Sequence, residues 1–353
     1  MVKKTAIGVQ GHGSLPSVSA MQSPEANPAA AAGSRLDAVS ARVRAGAIAT
    51  ALVELHAMSE DLVTRHALAE SGEARLLALL IDCRLARGDL SDAMTLGDEI
   101  TTYLGRGGPT GALAHHAKGE LAAALGDPEL AADHFLAAGA AVAEHPDSPE
   151  LLPWRASAAL ALVRAGAHRR AAELAAEHHR VAVAHGSPYA VANALRTLAA
   201  ADAGGRRITL LREARTILTG IEAGRLSAQV DADLAGLLVL TNDPQHLAEA
   251  VQLLRGAEVY AGQQELWPLQ SRVRRLLDRC GEAPLRVSSE ALALLTNAER
   301  RVSALAAAGL TNRQVAEELH VSVKAVEWHL SRTYRKLGIS SRSGLTLAFG
   351  VPA

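Results

Sequence analysis

Five short turns recur at a nearly constant spacing along this chain of 353 residues, and that spacing restricts the fold more than any other feature. They open at Gly88 (Gly-Asp-Leu-Ser-Asp-Ala), Gly126 (Gly-Asp-Pro-Glu-Leu-Ala-Ala), Gly166 (Gly-Ala-His-Arg-Arg-Ala-Ala), Gly205 (Gly-Arg-Arg-Ile-Thr-Leu-Leu) and Asn242 (Asn-Asp-Pro-Gln-His-Leu-Ala), at intervals of 37 to 40 residues. Two helices and two turns fill such an interval, and a period of this size predicts an α-solenoid, in which each helical pair buries its apolar face against the next. The composition agrees. Hydrophobic residues make up 49% of the chain but aromatic ones only 3%, so the apolar mass is Ala, Leu and Val, which favours helix. The small residue a few positions into most repeats (Ala93, Ala131, Ala171) predicts a place where one helix approaches its neighbour closely. Further along, Trp267 and Leu269 are expected to pack against the preceding repeat.

These repeats resemble degenerate tetratricopeptide repeats, although the Trp, Tyr and fixed Pro of that motif are mostly missing. Before them, residues 1–33 are rich in Gly, Ser, Pro and Ala, too poor in large apolar side chains to offset the entropy of ordering, and are assigned as a disordered tail. The repeat region is taken as 34–280. A linker follows at 281–290, where Gly281 and Pro284 interrupt the helical pattern, and the last domain is 291–353.

The formal net charge of −1 conceals a division. Residues 291–353 hold eight Arg or Lys against four Glu, a net +4, which leaves −5 for everything before them. A basic end on an otherwise acidic chain suits a polyanionic partner. Cys83 and Cys280 are too few for a disulfide framework or a zinc cage and point to a reducing compartment. The start of the chain has no signal-peptide core, and no run of about 18 apolar residues occurs, so no membrane association and a cytoplasmic location are expected. No Gly-x-x-x-x-Gly-Lys-Ser/Thr phosphate loop is present. The neighbouring pairs His115-His116 and His178-His179 point about 100° apart on a helix and assemble no metal-ligand set. No nucleophile, base and orienter combine, so neither enzyme activity, cofactor nor metal is expected.

The last domain carries the chemistry. Thr296 with Glu299, and Thr311 with Gln314, have the spacing of capping boxes that open two helices. Gly309 can end the first of them, Val321 turns the chain after the second, Ser322 can cap a third, and Gly338 can end that one with a left-handed residue. Two helices joined by so short a turn form a helix-turn-helix, whose second helix lies in the major groove of DNA. At 100° per residue, Val326, Leu330, Thr333 and Leu337 fall on one side of that helix. Lys324, Glu327, Trp328, Ser331 and Arg335 fall on the other, with His329 at the boundary. Lys324 and Arg335 suit phosphate or guanine, Glu327 could accept from a cytosine amino group, and Trp328 could cover a thymine methyl.

The run Leu295-Thr296, Glu299-Arg300-Arg301-Val302, Ala307-Ala308-Gly309-Leu310-Thr311-Asn312-Arg313-Gln314-Val315-Ala316, Leu319-His320-Val321-Ser322-Val323-Lys324-Ala325-Val326-Glu327-Trp328-His329-Leu330, Tyr334-Arg335-Lys336-Leu337-Gly338-Ile339 and Ser341-Arg342 resembles the signature of the LuxR family, without an insertion. It departs at Ala325, where the family usually has Thr, and at Ala298, which replaces a common Arg. The resemblance implies a four-helix domain in which Lys324, Glu327, Trp328 and Ser331 contact bases or adjacent phosphates, while Thr311, Asn312, Tyr334, Lys336 and Arg342 contact or frame the DNA backbone. Helical repeats ahead of such a domain resemble the back half of the large ATP-dependent LuxR-type regulators without their ATPase. The chain therefore reads as all-α, a tetratricopeptide-like solenoid followed by a four-helix LuxR-type helix-turn-helix domain. The function that follows is a bacterial sequence-specific transcription regulator whose repeats act as a signal-receiving or oligomerisation module, with double-stranded promoter DNA as partner, a homodimer on DNA, RNA polymerase if it activates, and an unknown effector of the repeats. The alternative is a solenoid interaction scaffold whose C-terminal module binds no DNA.

Overall fold

Each of the five recurrent turns begins with a residue in the left-handed region, φ being +79° at Gly88, +86° at Gly126, +79° at Gly166, +83° at Gly205 and +55° at Asn242. Glycine adopts this conformation without a Cβ clash and asparagine tolerates it. The chain therefore reverses at the same point of every repeat. In the computed structural model, which describes residues 28–202, 204–282, 295–339, 341, 342, 344 and 345, the turns separate the two helices of successive pairs. These pairs are α4 (Glu70–Arg87) and α5 (Leu90–Ile100), α6 (Gly108–Leu125) and α7 (Pro128–Ala141), α8 (Trp154–Arg164) and α9 (His168–His185), α10 (Pro188–Ala201) and α11 (Arg207–Leu218), and α12 (Gly224–Leu238) and α13 (Pro244–Gln263). They are preceded by α1 (Pro28–Ala45), α2 (Ile48–Glu60) and α3 (Leu62–Ala67), and followed by α14 (Trp267–Arg279). No strand occurs among the described residues.

Helix α1 starts at Pro28, inside the stretch assigned to the tail. Proline is favoured in the first turn of a helix, and the Ala residues behind it are the strongest helix formers, so Gly33 is carried within α1 rather than ending the tail. Residues 1–27, and most of the linker assigned to 281–290, lie outside the described residues.

The turn residues after each glycine are used unequally. Asp127 and Asp243 cap their helices by accepting from the backbone N–H groups of Leu130 and Gln245. Asp89 holds the same place before α5, yet its side chain caps nothing. The small residues behave as the packing requires: Ala93, Ala131 and Ala171 are completely buried. Apolar contact runs from pair to pair, and the core is a succession of clusters rather than one centre, as expected for a repeat array.

The array also closes. Residues of α1, α2 and α4 share a core cluster with Ala261 and Leu266 from the other end of the repeats. Tyr260 Oη donates to the Gly46 carbonyl at 2.6 Å, and Gln264 Oε1 accepts from the Ala49 amide at 3.2 Å. Arg225 of α12 reaches both carboxylate oxygens of Asp82 on α4, at 2.9 and 2.7 Å. The pair is partly buried, at 25% and 34% side-chain exposure, and breaking it leaves one charge without its partner. The first helix of each pair thereby turns toward a common interior. A cavity of about 420 Å³ there is lined by residues of α4, α6, α8, α10, α12 and α14, with Leu266.

The C-terminal segment has its own core. Helices α15 (Asn297–Ala307), α16 (Asn312–Leu319) and α17 (Val323–Leu337) bury Leu295, Val302, Val315, Val326, Leu330 and Leu345 together. Both capping boxes are formed, Thr296 with Glu299 and Thr311 with Gln314, and Ser322 accepts from the Ala325 amide. Gly338 ends α17 in the left-handed region, and so does His320 at the end of α16. The fourth helix implied by the resemblance falls largely outside the described residues.

Glu299 ties this unit together. It is 2% exposed, its Oε2 accepts from the Thr296 amide at 2.8 Å and faces Lys336 Nζ at 2.5 Å, and its Oε1 lies 3.2 Å from Arg332 Nε. Burial pushes its carboxyl up, but Lys336 and Thr296 outweigh burial and hold the pKa down to about 2. A folded pKa below the unfolded one stabilises the fold above the ordinary glutamate value, and the contribution disappears as pH falls toward 2. Glu299→Gln keeps the capping geometry and loses the ion pairs. It should cost roughly 1–3 kcal/mol at pH 7. Urea titrations of wild type and variant should converge as pH falls from about 4.5 to about 2; curves that stay parallel through that range would show that the ion pairs contribute nothing.

Candidate nucleic-acid interface

Helix α17 is two-sided, as its sequence requires. Val326, Leu330, Thr333 and Leu337 are buried, and Ser303 Oγ donates to Thr333 Oγ1 at 2.9 Å, fixing α17 against α15. On the other side Lys324, Glu327, Trp328 and Ser331 are exposed, Trp328 to 54%. Val321 and Val323 at the start of the helix are exposed as well, so an apolar edge lies beside a mixed polar face. Base edges and thymine methyl groups require that combination.

The indole of Trp328 is not free to swing. Arg332, one helical turn on, stacks its guanidinium over the ring at 4.7 Å, and His329 meets it edge-on at 4.9 Å. Arg332 is a residue that the reading of the sequence passed over. Its signal was the i+4 spacing from Trp328 on the same helix face.

The remaining sequence-predicted contacts are engaged within the protein. Thr311 is exposed but spent on capping α16, its Oγ1 being 3.3 Å from the Gln314 amide and 2.9 Å from Gln314 Oε1. Asn312 Oδ1 accepts from Arg342 Nη1 at 3.1 Å, which brings two of the predicted residues together beside the start of α16. Lys336 is held by Glu299. Tyr334 is half-buried in the core of the unit.

Arg335 makes the contact that bears most on access to DNA. Its guanidinium is ion-paired with Asp89, the turn aspartate that caps no helix. Asp89 is 8% exposed and also receives Arg84 at 3.5 Å. Where α17 ends, the left-handed Gly338 closes the helix and seats against Gln270 of α14, whose Oε1 would lie 2.5 Å from a Cβ there and would have to move to admit one. Between the two surfaces is an open cleft of about 790 Å³, bordered by Asp89, Asp92 and Trp267 on the repeat side and by Trp328, Ser331 and Arg335 on α17. Trp267 thus faces the C-terminal unit, while Leu269 packs into the core of the repeats. The front of α17 is open and its rear half is docked.

Among the described residues, no group of three or more His, Cys, Asp or Glu side chains is disposed to hold a metal ion. His178 is 1% exposed, and burial drives its pKa down to about 4, which makes it a neutral packed histidine at physiological pH. No described helix is long and apolar enough to cross a membrane.

Comparison with known proteins bears directly on the C-terminal unit. Residues 293–349 match the family model described as GerE: Bacterial regulatory proteins, luxR family. The nitrate/nitrite response regulator protein NarP of Escherichia coli (strain K12) is 29% identical over 123 residues, 35% of this chain and 52% of that protein. The nitrate/nitrite response regulator protein homolog of Haemophilus influenzae is 30% identical over 120 residues, 34% of this chain and 51% of that protein. The chain thus spans about half the length of the curated relatives it matches. Among solved structures, the crystal structure of BtubC (BKLC) from P. vanneervenii aligns with a TM-score of 0.39 at 15% identity, covering 70% of this chain and 96% of that one. With the helix-turn-helix geometry and the family match over residues 293–349, the C-terminal segment is a LuxR-family DNA-binding domain.

Proposed function

We propose that the protein is a sequence-specific transcription regulator whose repeat region receives a signal and governs access to α17. The observation that carries this reading is the exposed face of Lys324, Glu327, Trp328 and Ser331 on a helix whose opposite face is fully packed. Lys324 serves a phosphate or a guanine edge, Glu327 a cytosine amino group, and Trp328, braced by Arg332, a thymine methyl. Thr311, Asn312 and Arg342 frame the DNA backbone around them, and Lys336 does so only from its place on Glu299, as a brace for α17. One such helix covers few base pairs, so the active form on DNA is a homodimer on two half-sites about one turn apart. RNA polymerase is the further partner if the protein activates. Binding to chromosomal DNA would put it in the cytoplasm.

The pairing of Arg335 with Asp89 gives the repeats their hold on this activity. A guanidinium committed to Asp89 is not available to phosphate, and the cleft wall stands beside Ser331 and Trp328. The docked form is the low-affinity form, and a signal acts by shifting the population away from it.

Lys324→Ala with Trp328→Ala should abolish enrichment of specific genomic fragments while leaving the circular dichroism spectrum unchanged. Retained enrichment would defeat the assignment, and a stable protein client recovered without any DNA would favour the scaffold reading. Wild-type binding should weaken on the order of 10³ to 10⁵-fold between about 50 and 200 mM salt, if roughly 6 to 10 phosphates are contacted.

Asp89→Asn should tighten binding to the enriched fragment by roughly two- to fivefold, since it removes the competitor for Arg335 without touching the DNA-reading face. Trp267 and Trp328 both border the cleft, and only Trp154 lies elsewhere, so acrylamide quenching of tryptophan fluorescence should rise in the same variant. Unchanged affinity and unchanged quenching together would exclude the docked contact as a control.

A further inference from the structure

The interior cavity of the closed repeats is built unlike the rest of the array. Leu85, Leu266 and Leu269 supply apolar wall, while Arg164, Arg196, Arg225 and Arg272 project into the same space from four different helices. Four guanidiniums around about 420 Å³ require neutralising charge, and the supply falls short. Asp82 is taken by Arg225. Asp233 is divided, one oxygen 2.7 Å from Arg196 and the other 2.6 Å from Arg272. Arg164 makes no ion pair among the described residues and donates instead to the Ala123 carbonyl at 3.2 Å. The remaining acid of the lining, Glu120, accepts from Ser157 at 3.2 Å and lies 3.9 Å from His116, on the α6 to α8 side.

Arg164 is exposed and Arg272 keeps 41% of its side chain exposed, so the guanidinium surplus stands at the open mouth of the hollow, where an anion arriving from solvent can meet it. The hollow keeps an apolar wall, a surplus of guanidinium and unfilled volume together. An apolar wall facing converging polar groups, here about half of the lining each, is a construction that small-molecule sites use, and guanidinium is suited to carboxylate and other oxyanions.

We propose that the cavity binds a small organic anion, an apolar body bearing one carboxylate or comparable oxyanion, with Arg164 and Arg272 reading the charge and Leu85, Leu266 and Leu269 enclosing the body. The position of the site gives the ligand a consequence. Pro268 borders both this cavity and the cleft beneath α17. On the first turns of α14, Leu269 and Arg272 face the cavity, while Gln270 and Ser271 face the C-terminal domain. A ligand that moves Arg272 moves the segment against which Gly338 is seated. In this respect the inference rests on the regulator reading, and it names the chemistry of the signal.

Isothermal titration calorimetry on the full chain, without DNA, tests the site alone. The probes are octanoate, benzoate and phenyl phosphate, each beside a neutral counterpart: octanol, benzamide and phenol. At least one anion should bind ten or more times more tightly than its counterpart, and the variant Arg164→Gln/Arg272→Gln should lose at least tenfold in that affinity. Should the double variant fold poorly, Arg164→Gln alone, which has no ion pair to lose, should still weaken the anion severalfold. Anions that bind no better than the neutral compounds, or binding indifferent to these substitutions, would overturn the proposal. A probe that binds here without altering the affinity for an enriched DNA fragment leaves the site standing and counts instead against the regulator reading.

Discussion

The carboxylate of Asp89 joins two parts of the chain that lie 246 residues apart in sequence, and most of the functional geometry follows from its choice of partner. A turn aspartate ordinarily accepts from the backbone of the helix it precedes, as Asp127 and Asp243 do. Asp89 forgoes that bond and receives guanidinium from Arg84 of its own repeat and Arg335 of the DNA-binding helix. Arg335 therefore cannot serve a phosphate in this arrangement. The same side chain that makes α17 basic enough for DNA gives the repeats something to hold.

That hold is effective only because the repeats are a stiff object. An open solenoid changes curvature readily, since each repeat touches only its neighbours. Here Arg225 with Asp82, and Tyr260 with the Gly46 carbonyl, bind the last repeats to the first. Closure fixes α14 against α4, and these are the elements that present Gln270 and lead into Asp89 at the interface. It also shapes the arginine-lined hollow, so the docking surface and the cavity are two sides of the same few residues of α14.

What could be read from the sequence was whatever local chemistry determines. The five turns are visible because left-handed backbone demands Gly or Asn at one position. Both capping boxes and the Ser322 cap are visible because they need particular residues three apart. The buried and exposed sides of α17 follow from its period, and the structure reproduces them residue by residue at Val326, Leu330, Thr333 and Leu337. What could not be read depends on contacts between distant segments. Asp89 and Asp127 stand in the same Gly-Asp context, and nothing local separates the one that caps from the one that docks. Lys336 and Lys324 are both lysines of one basic helix, but only the meeting of α15 and α17 reveals that Lys336 belongs to Glu299. Closure of the repeats, the placing of Trp267 under α17 and the shared Asp233 are of the same kind.

The strength of the docked contact has to lie within narrow limits for such a device to work. Arg335 keeps 34% of its side chain exposed, which makes its pair with Asp89 closer to a surface ion pair than to a buried one. Surface pairs contribute about 0–1 kcal/mol, so the contact with Asp89 alone weakens DNA binding by a few-fold at most. The close seating of Gly338 on Gln270 and the burial of Trp267 beside the cleft add to it. Opposing this, Nε of Arg84 and the indole N–H of Trp267 are buried without an acceptor, a cost of roughly 1–3 kcal/mol for each such group. The balance is a contact weak enough for duplex DNA to displace when two half-sites engage a dimer, and strong enough to matter for a monomer. A much tighter latch would need more than a small molecule in a hollow of about 420 Å³ to release it; a looser one would leave the repeats with nothing to regulate.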